Sequence, residues 1–405
     1  MYKYAFFYRN LNVILYITFG FIMVSISIML QLNFNLGNDQ QIYLDLADNP
    51  LATLIGNSEY TQYPVLLGLL LLPISILKRF DIPPEVCVQI YFSILGLLAC
   101  NLIDRITLKT TNEKRKIVHI TMIPWIFLVC NVFVQEDIIG ILAILLTMIA
   151  IRKGSMMLSL FILSIGIVFA KLFFVFLLFP TLLFVCIRQK RFLVPLIVSF
   201  PGVLIFFIGA VGSFIKNQNG FWNFKTPMSL SINAWSVIPE SKDKFGFISL
   251  TNLSFLLVIG TLLLLMYHLR TLSIGNEQLN VLLLLIGCSI VVFLYQIQPE
   301  YLFLLIPTIL VRNMSIKGYV TTFALFPLSI LQNTLYGFAN SNQAYNSHAK
   351  SSLLSEIVTY LPILKLHEPH QFCAIVFSLT SVSAFYFALR AANTSLKFNR
   401  KVTDV

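Results

Sequence analysis

The sequence predicts an all-α, polytopic membrane protein with about 12 transmembrane helices, on three observations. Hydrophobic residues make up 58% of the 405 residues, whereas charged residues make up only 11%. A soluble domain needs roughly a quarter of its residues charged to cover its surface, so lipid must cover much of this chain. The apolar segments are continuous runs of helical length, whereas membrane strands would show short alternating segments.

Twelve apolar runs are predicted to cross the bilayer, within a range of 11–13 crossings, and residues 1–405 then form a single integral membrane domain. The predicted crossings are 12–32, 84–103, 118–134, 138–151, 155–169, 172–187, 192–214, 248–268, 278–296, 301–312, 318–335 and 370–390. Several runs are shorter than the roughly 20 residues of a straight crossing. Either neighbouring helices shield their ends or the helices extend a few residues beyond these bounds.

The apolar segment 62–78 is predicted to be a helix in the outer membrane interface. If it crossed the bilayer, the basic segment 104–116 would lie outside, against the tendency of Lys and Arg to stay in the cytoplasm. With both termini inside, most acidic residues fall on the outer side, whose long loops are 33–83, 215–247 and 336–369. Acidic residues have little influence on topology, so their segregation indicates a function on that face.

Ionisable residues stand at the predicted outer ends of several crossings. Asp39 follows the first crossing, Glu136 and Asp137 share a short turn, and Lys171 and Glu300 lie in two others. Any one of the acids could be a solvated loop charge, but Asp39 could also act as a general base towards an acceptor hydroxyl. A lysine at mid-membrane costs about 2.5–3.5 kcal/mol, so Lys171 must reach an interface or pair. It either marks a helical hairpin or binds an anionic group such as a phosphate.

Two aromatic clusters lie at the predicted outer boundary. One is "EYTQYP", with Tyr60 and Tyr63, and the other is "NGFWNF" at 219–224. Aromatic residues form belts at both membrane interfaces, which explains the clusters without a function. Aromatic faces also stack on sugar rings, so the same residues would suit a carbohydrate cleft.

Several functional classes are not expected. A net charge of +11 is compatible with a nucleic-acid partner, but the basic residues form short clusters between apolar runs, as positive-inside topology produces. The six cysteines lie in or beside apolar segments without CxxC spacing, so they are predicted to be buried thiols rather than disulfides or metal ligands. No glycine-rich phosphate loop appears, and the cytoplasmic segments are too short for a nucleotide-binding fold.

Five motifs, in this order, resemble the GT-C superfamily of polytopic glycosyltransferases. They are most similar to the polyprenyl-phosphate-mannose-dependent enzymes of glycosyltransferase family 87 and relatives. The motifs are Asp39 and Tyr43 in "NDQQIY", "YTQYPVLL" (60–67), "QEDIIGILAILLTMIAIRK" (135–153), "GIVFAKLFFVFLLFP" (166–180) and "PEYLFLLIP" (299–307). The first half of the chain carries most of the resemblance, and Val65 stands where the family often has a second proline.

The resemblance implies a GT-C-like fold. It also implies transfer of a hexose, most often mannose, from a polyprenyl-phosphate donor to a glycan or glycolipid acceptor on the extracytoplasmic side. Asp39 would be the catalytic base with Asp137 assisting, and Lys171 would contact the lipid phosphate. The substrate cavity would be lined by Tyr43, Tyr60, Tyr63, Glu136, Glu300 and Tyr301.

No cofactor follows with certainty from these residues, although some glycosyltransferases bind Mg²⁺ or Mn²⁺ through paired carboxylates. The expected location is the inner membrane of a bacterium, or the endoplasmic reticulum membrane if the source is eukaryotic. Membrane lipid would be a partner in either case.

Two other functions remain open from the sequence. An O-antigen or exopolysaccharide polymerase would also use polyprenyl-linked sugars, but such enzymes rely on arginines in outer loops to hold pyrophosphate. Here the predicted outer segments contain eight lysines but one arginine, Arg79, which argues against a polymerase. A lipid or polysaccharide transporter would show internal repeats and ionisable groups at mid-membrane, and neither is evident.

Overall fold

The computed structural model is built almost entirely of helices, which confirms the predicted all-α class. It describes residues 38–52, 66–108, 110–133, 136–170, 174–190, 192–216, 244–245, 248–269, 276–294, 299–344 and 369–403, together with Thr18. Within these residues the strands are β1 (Lys244–Phe245) and β2 (Ile248–Ser249), which form one short antiparallel pair. The predicted crossing 12–32 lies outside the described residues except for Thr18.

The described part of the chain contains twelve α-helices. In chain order these are α1 (Asn38–Asp48), α2 (Leu67–Lys78), α3 (Pro84–Thr107), α4 (Asn112–Phe127), α5 (Asp137–Arg152), α6 (Met156–Phe169), α7 (Phe174–Gln189), α8 (Leu193–Lys216), α9 (Leu250–Leu269), α10 (Asn276–Phe293), α11 (Ile316–Ala344) and α12 (Pro369–Thr403). A π-helical segment, Leu128–Phe133, continues α4, and a 3-10 helix, Pro299–Leu310, follows α10. A helix therefore lies at each predicted crossing from 84–103 to 370–390.

Two predicted outer loops contain more helix than expected. Segment 33–83 holds α1 as well as the helix predicted at 62–78, which is α2. Segment 336–369 was predicted to be a loop, but α11 continues through its beginning to Ala344. The end of α11 is polar in sequence, so a prediction based on hydropathy placed the end of this helix too early.

Close helix packing depends on small residues at the contacts. The Ser164 hydroxyl on α6 donates to the Ser199 carbonyl at 3.0 Å and accepts from the Gly202 amide of α8 at 2.6 Å. A Cβ atom at Gly202 would come within 2.6 Å of the Ser164 carbonyl oxygen. Such small and hydroxylated contacts are typical of helices that pack inside membranes.

The 3-10 helix packs along α10 in the interior. A Cβ atom at Gly287 of α10 would overlap the Leu304 carbonyl oxygen of the 3-10 helix, so only glycine permits this approach. A 3-10 helix rises about 2.0 Å per residue, and runs beyond four residues are uncommon. The packing partners α5, α10 and α11 surround this segment and stabilise its unusual length.

Large apolar side chains also cover much of the surface. Leu193 of α8 is 71% exposed, Leu264 of α9 is 71% exposed and Leu379 of α12 is 65% exposed. Among the residues whose side chains are described, two helical stretches, Pro84–Thr107 and Gln371–Thr394, are long and apolar enough to cross a membrane. The other apolar stretches found there are 10–17 residues long, so the number of crossings stays a prediction. The six cysteines are buried free thiols, as predicted.

Replacing Gly287 by alanine should destabilise the protein by about 1–3 kcal/mol, because the new methyl group would force α10 away from the 3-10 helix. Gly260→Ala on α9 is the matched control, since no described atom outside the neighbouring backbone of its own helix lies within 4 Å of the added Cβ. Alanine is the better helix former by about 0.5–1 kcal/mol, so the control should be equally or more stable. Thermal unfolding of the detergent-solubilised variants measures both, and equal melting temperatures would contradict the described packing.

Candidate active site

Tyr43 of α1 reaches across the fold to the beginning of α5. Its hydroxyl donates a hydrogen bond to Oε2 of Glu136 and accepts one from the Glu136 backbone amide at 3.2 Å. Both side chains are buried, and the Tyr43 ring lies 5.3 Å from the Phe92 ring of α3. Residues 93 positions apart in the chain therefore form one buried polar contact.

The pattern of α1 explains how Tyr43 becomes buried. Gln40, Tyr43, Leu44 and Ala47 are buried and recur at the spacing of one helix face. Position 39 stands one turn before Tyr43, so Asp39 and Tyr43 share an edge of that face. The Asp39 backbone belongs to α1, and its side chain lies outside the described residues.

Glu136 and Asp137 occupy the N-terminal end of α5. Glu136 is the N-cap residue and Asp137 is the first helical residue, and both are buried. Free backbone amides and the helix dipole stabilise negative charge at this end of a helix. The preceding π-helical segment Leu128–Phe133 brings the chain to this point, and π-helical turns in proteins are frequent at functional sites.

Three chain segments meet one turn inside α5. The rings of Phe174 and Phe303 stack with their centroids 5.5 Å apart. A Cβ atom at Gly140 would lie 3.3 Å from the Phe303 ring and 3.4 Å from the Phe174 ring. Gly140 follows Asp137 by three residues, Phe174 begins α7, and Phe303 belongs to the first turns of the 3-10 helix. The beginnings of these three helices therefore lie together.

The packed residues of these segments are close in sequence to predicted polar positions. Phe174 follows Lys171 by three residues, and Phe303 follows Glu300 by three. Lys171 itself lies outside the described residues, as does the side chain of Glu300, whose backbone begins the 3-10 helix. Tyr301 is half-buried beside it.

The segment that precedes α2 joins the same region. The Leu66 backbone amide donates to the Val168 carbonyl at the end of α6, at 3.2 Å. Leu66 follows Tyr63 by three residues, but Tyr63 and Tyr60 lie outside the described residues. The second aromatic cluster, 219–224, lies outside them as well.

An ion pair fixes α1 against α2. Asp48 accepts hydrogen bonds from the Lys78 ammonium at 2.6 Å and the Ser75 hydroxyl at 2.7 Å. Nearby, a Cβ atom at Gly68 would come within 2.6 Å of the Pro50 backbone, so α2 approaches α1 as closely as a glycine allows. The hydrogen bonds from Lys78 and Ser75 lower the pKa of the Asp48 carboxyl below its usual 3.8.

The carboxylates of this region bear on the question of a metal. Glu136 and Asp137 offer neighbouring carboxyl groups, and Glu136 is engaged by Tyr43. In the part of the chain that the structure describes, no three His, Cys, Asp or Glu side chains group as metal ligands. Binding of Mg²⁺ or Mn²⁺ stays a prediction.

Sequence reasoning missed two buried glutamines near Tyr43. Gln40 lies on the buried face of α1, and Gln89 lies on α3 one turn before Phe92. Both stand in segments whose apolar residues set the helical pattern, so a single amide gives no signal. The structure also changes the interpretation of Tyr43 and Glu136, which were predicted separately as substrate ligands and here contact each other.

We expect Tyr43→Phe to lower the free energy of unfolding by about 1.5–3 kcal/mol, because Glu136 loses a buried donor. Glu136→Gln should cost less, since its amide oxygen can still accept the tyrosine proton. A double-mutant cycle by chemical denaturation measures the coupling between the two residues. Tyr91→Phe is the control, because Tyr91 donates to the Leu70 carbonyl and not to a side chain. Glu136→Met removes the acceptor altogether, so additive effects of Tyr43→Phe and Glu136→Met in that cycle would refute the contact.

Acid should destabilise the wild type more than Asp48→Asn. A carboxyl whose pKa is lowered in the folded state stabilises the protein above its unfolded pKa, and this contribution is lost as pH falls through the folded pKa. The difference should therefore appear between about pH 5 and pH 3, where melting temperature is measured against pH. In a Lys78→Met background the Asp48→Asn change should have little further effect. An unchanged acid profile in Asp48→Asn would show that the pair does not stabilise the fold.

Comparison with known proteins gives this chain no family assignment. No protein-family model matches it, and no curated protein matches its sequence significantly. A proposal for its function rests on its own residues and on the geometry described above.

Proposed function

We propose that this protein is a polytopic membrane glycosyltransferase. It transfers a hexose, with mannose as the first candidate, from a polyprenyl-phosphate donor to a glycan or glycolipid acceptor on the extracytoplasmic side. The proposed location is the inner membrane of a bacterium, and the proposed architecture has about 12 crossings. The observation that carries the proposal is the buried Tyr43–Glu136 contact beside Asp137, where α1 meets the beginning of α5.

The exposed apolar faces support the membrane part of the proposal. Side chains such as Leu193, Leu264 and Leu379 would be costly in water over so large an area, and lipid would cover them without cost. The helices that are too short for a straight crossing pack among others, as α6 does against α5 and α8. This packing supports shielding of helix ends by neighbouring helices, and the extension of α3, α8, α11 and α12 beyond the predicted crossings supports the other explanation that the sequence left open.

The arrangement of the polar positions supports a single reaction centre. Asp39 is the second residue of α1, one turn before Tyr43, and Tyr43 contacts Glu136 next to Asp137. Helix α7, which begins three residues after Lys171 in the sequence, and the 3-10 helix, which contains Glu300, pack on α5 through Phe174 and Phe303. A base, a phosphate ligand and sugar ligands would then come from separate segments that meet at one end of the bundle.

The proposed mechanism uses these groups in defined roles. The Asp39 carboxylate removes the proton from an acceptor hydroxyl, whose oxygen attacks the anomeric carbon of the donor. The bond from that carbon to the phosphate oxygen breaks, and polyprenyl phosphate leaves with the electron pair. The Lys171 ammonium neutralises the phosphate, so no general acid is required. Attack from the face opposite the phosphate inverts the anomeric centre.

The acids at the start of α5 would act on the sugar rather than on the phosphate. Tyr43 holds the Glu136 carboxyl in place from one side, and the helix dipole of α5 stabilises its charge. Asp137 stands beside it and would accept hydrogen bonds from hydroxyl groups. Negative charge here also disfavours a bound phosphate, which keeps the lipid headgroup on the Lys171 side.

Asp39→Asn should reduce sugar transfer by about 10²–10⁴-fold, because the amide cannot take the proton from the acceptor. The assay uses purified full-length protein, radiolabelled polyprenyl-phosphate mannose and an extract of lipid-linked glycans, and it follows label into larger products. Asp48→Asn is the control, since Asp48 belongs to the ion pair with Lys78 rather than to the proposed centre.

Two outcomes would count against the proposal. If the wild-type protein transfers no sugar from any polyprenyl-phosphate hexose, the proposed transferase activity is wrong. The polymerase and the transporter are then the remaining functions to test. If Asp39→Asn is fully active, the protein is still a transferase, but another carboxylate acts as the base. Asp137 is the next residue to test.

A further inference from the structure

The buried amide groups of Gln40 and Gln89 stand out near the candidate site. Gln89 is fully buried, and neither its Oε1 nor its Nε2 atom has a hydrogen-bond partner among the described residues. Gln40 is nearly buried, and its Oε1 atom likewise lacks a partner in the described part of the chain. Buried polar atoms in proteins are almost always hydrogen-bonded, so these amides require a ligand or ordered water.

Both glutamines are neighbours of Tyr43. Gln40 precedes Tyr43 by three residues on the same buried face of α1. Gln89 precedes Phe92 by three residues on α3, and the Phe92 ring contacts the Tyr43 ring. Residues three apart on a helix are adjacent on its surface, so the two amides flank Tyr43 from different helices.

The packing of α3 against the π-helical continuation of α4 is a second observation that bears on the position of Gln89 along the axis of α3. A Cβ atom at Gly96 would lie 3.0 Å from Sγ of Cys130, so these two residues face each other. The helices are antiparallel, because only a short turn separates α3 from α4. Gln89 lies two turns from Gly96, about 10 Å along the axis, on the side towards which the π-helical segment continues beyond Cys130. Tyr43 contacts both the Phe92 ring, one turn from Gln89, and Glu136, so Gln89 lies near the end of α3 that faces the candidate site.

The chemistry of this cluster favours hydroxyl groups over phosphate. A primary amide offers a donor and an acceptor without charge, which matches a sugar hydroxyl that is itself both. Glu136 and Asp137 add carboxyl oxygens that accept hydrogen bonds, and their charge would repel a phosphate. The combination suits a neutral, hydroxylated ring.

We propose that Gln40 and Gln89 form a subsite that binds the hydroxyl groups of the donor hexose. The identity of the ligand rests on the proposed function, whereas the subsite rests on the buried amides themselves. The glutamines are binding residues that select a hydroxylated ring, because an unmade hydrogen bond in a buried site is costly. The lipid phosphate binds elsewhere, so its affinity does not depend on them.

The test compares binding of polyprenyl-phosphate mannose with binding of bare polyprenyl phosphate to the full-length protein in nanodiscs. Wild type should prefer the mannose-bearing lipid, and Gln40→Met or Gln89→Met should each reduce that preference about tenfold. Affinity for bare polyprenyl phosphate should not change. Methionine is similar in length and removes an unpartnered amide, so we expect both variants to fold with unchanged or higher melting temperatures.

Gln278→Met is the matched control. Gln278 is also nearly buried with an unpartnered Oε1 among the described residues, but it lies in the first turn of α10. Its predicted position is the cytoplasmic end of that helix, so the preference for mannose should match wild type. If Gln278→Met also loses the preference for the mannose-bearing lipid, the effect comes from a general disturbance of the fold, and the proposed subsite is wrong.

The same preparations separate the subsite from the transferase. If wild type shows no preference, or if Gln40→Met and Gln89→Met retain it, the amides are satisfied by water and the inference is wrong. If wild type transfers sugar but the glutamine variants keep the wild-type preference for the mannose-bearing lipid, the proposed subsite is wrong and the transferase proposal stands. If the preference depends on the glutamines but no sugar is transferred, the subsite stands as a sugar-binding site and the transferase fails.

Discussion

The burial of two carboxyl groups at the start of α5 is the constraint on which the site depends. A charged side chain removed from water is strongly destabilising unless donors compensate it. The positive end of the α5 helix dipole supplies part of that compensation, and the hydrogen bond from the Tyr43 hydroxyl to the Glu136 carboxyl supplies more. The position of Glu136 therefore requires α1 to dock on α5. The Asp48–Lys78 pair and the close approach at Gly68 then hold α1 against α2.

The sequence predicted the helices well because each predicted crossing is a continuous apolar run, and hydropathy reports that directly. It did less well where a helix continues into polar sequence. The end of α11 reads "FANSNQA", and α1 reads "NDQQIYLDLAD", so both segments resemble loops by hydropathy although they are helical. Their backbones form helices through local hydrogen bonds and packing, which composition alone does not reveal.

The site was predictable by residue type but not by partnership. Tyr43 and Glu136 were each singled out from local motifs, yet their contact joins positions 93 residues apart, and a single sequence carries no information on such pairs. Gln40 and Gln89 gave no sequence signal, because one amide in an apolar helix is common on a surface. Only their burial beside Tyr43 makes them unusual. The packing of Phe174 and Phe303 against Gly140 is likewise a contact between distant parts of the chain, which a single sequence does not reveal.

The lengths of the elements around the site give it a place in the proposed bilayer. The 16 residues of α5 and the 14 of α6 span about 24 Å and 21 Å as α-helices. The 12 residues of the 3-10 helix also span about 24 Å, where an α-helix of that length would reach about 18 Å. All three fall short of the roughly 30 Å hydrocarbon core. The start of α5, the end of α6 and the start of the 3-10 helix lie at the Phe174–Phe303 contact, so three short elements begin or end in one region. A recess below the outer interface would let a lipid-linked sugar meet Glu136 and Asp137 while its polyprenyl chain stays in the bilayer.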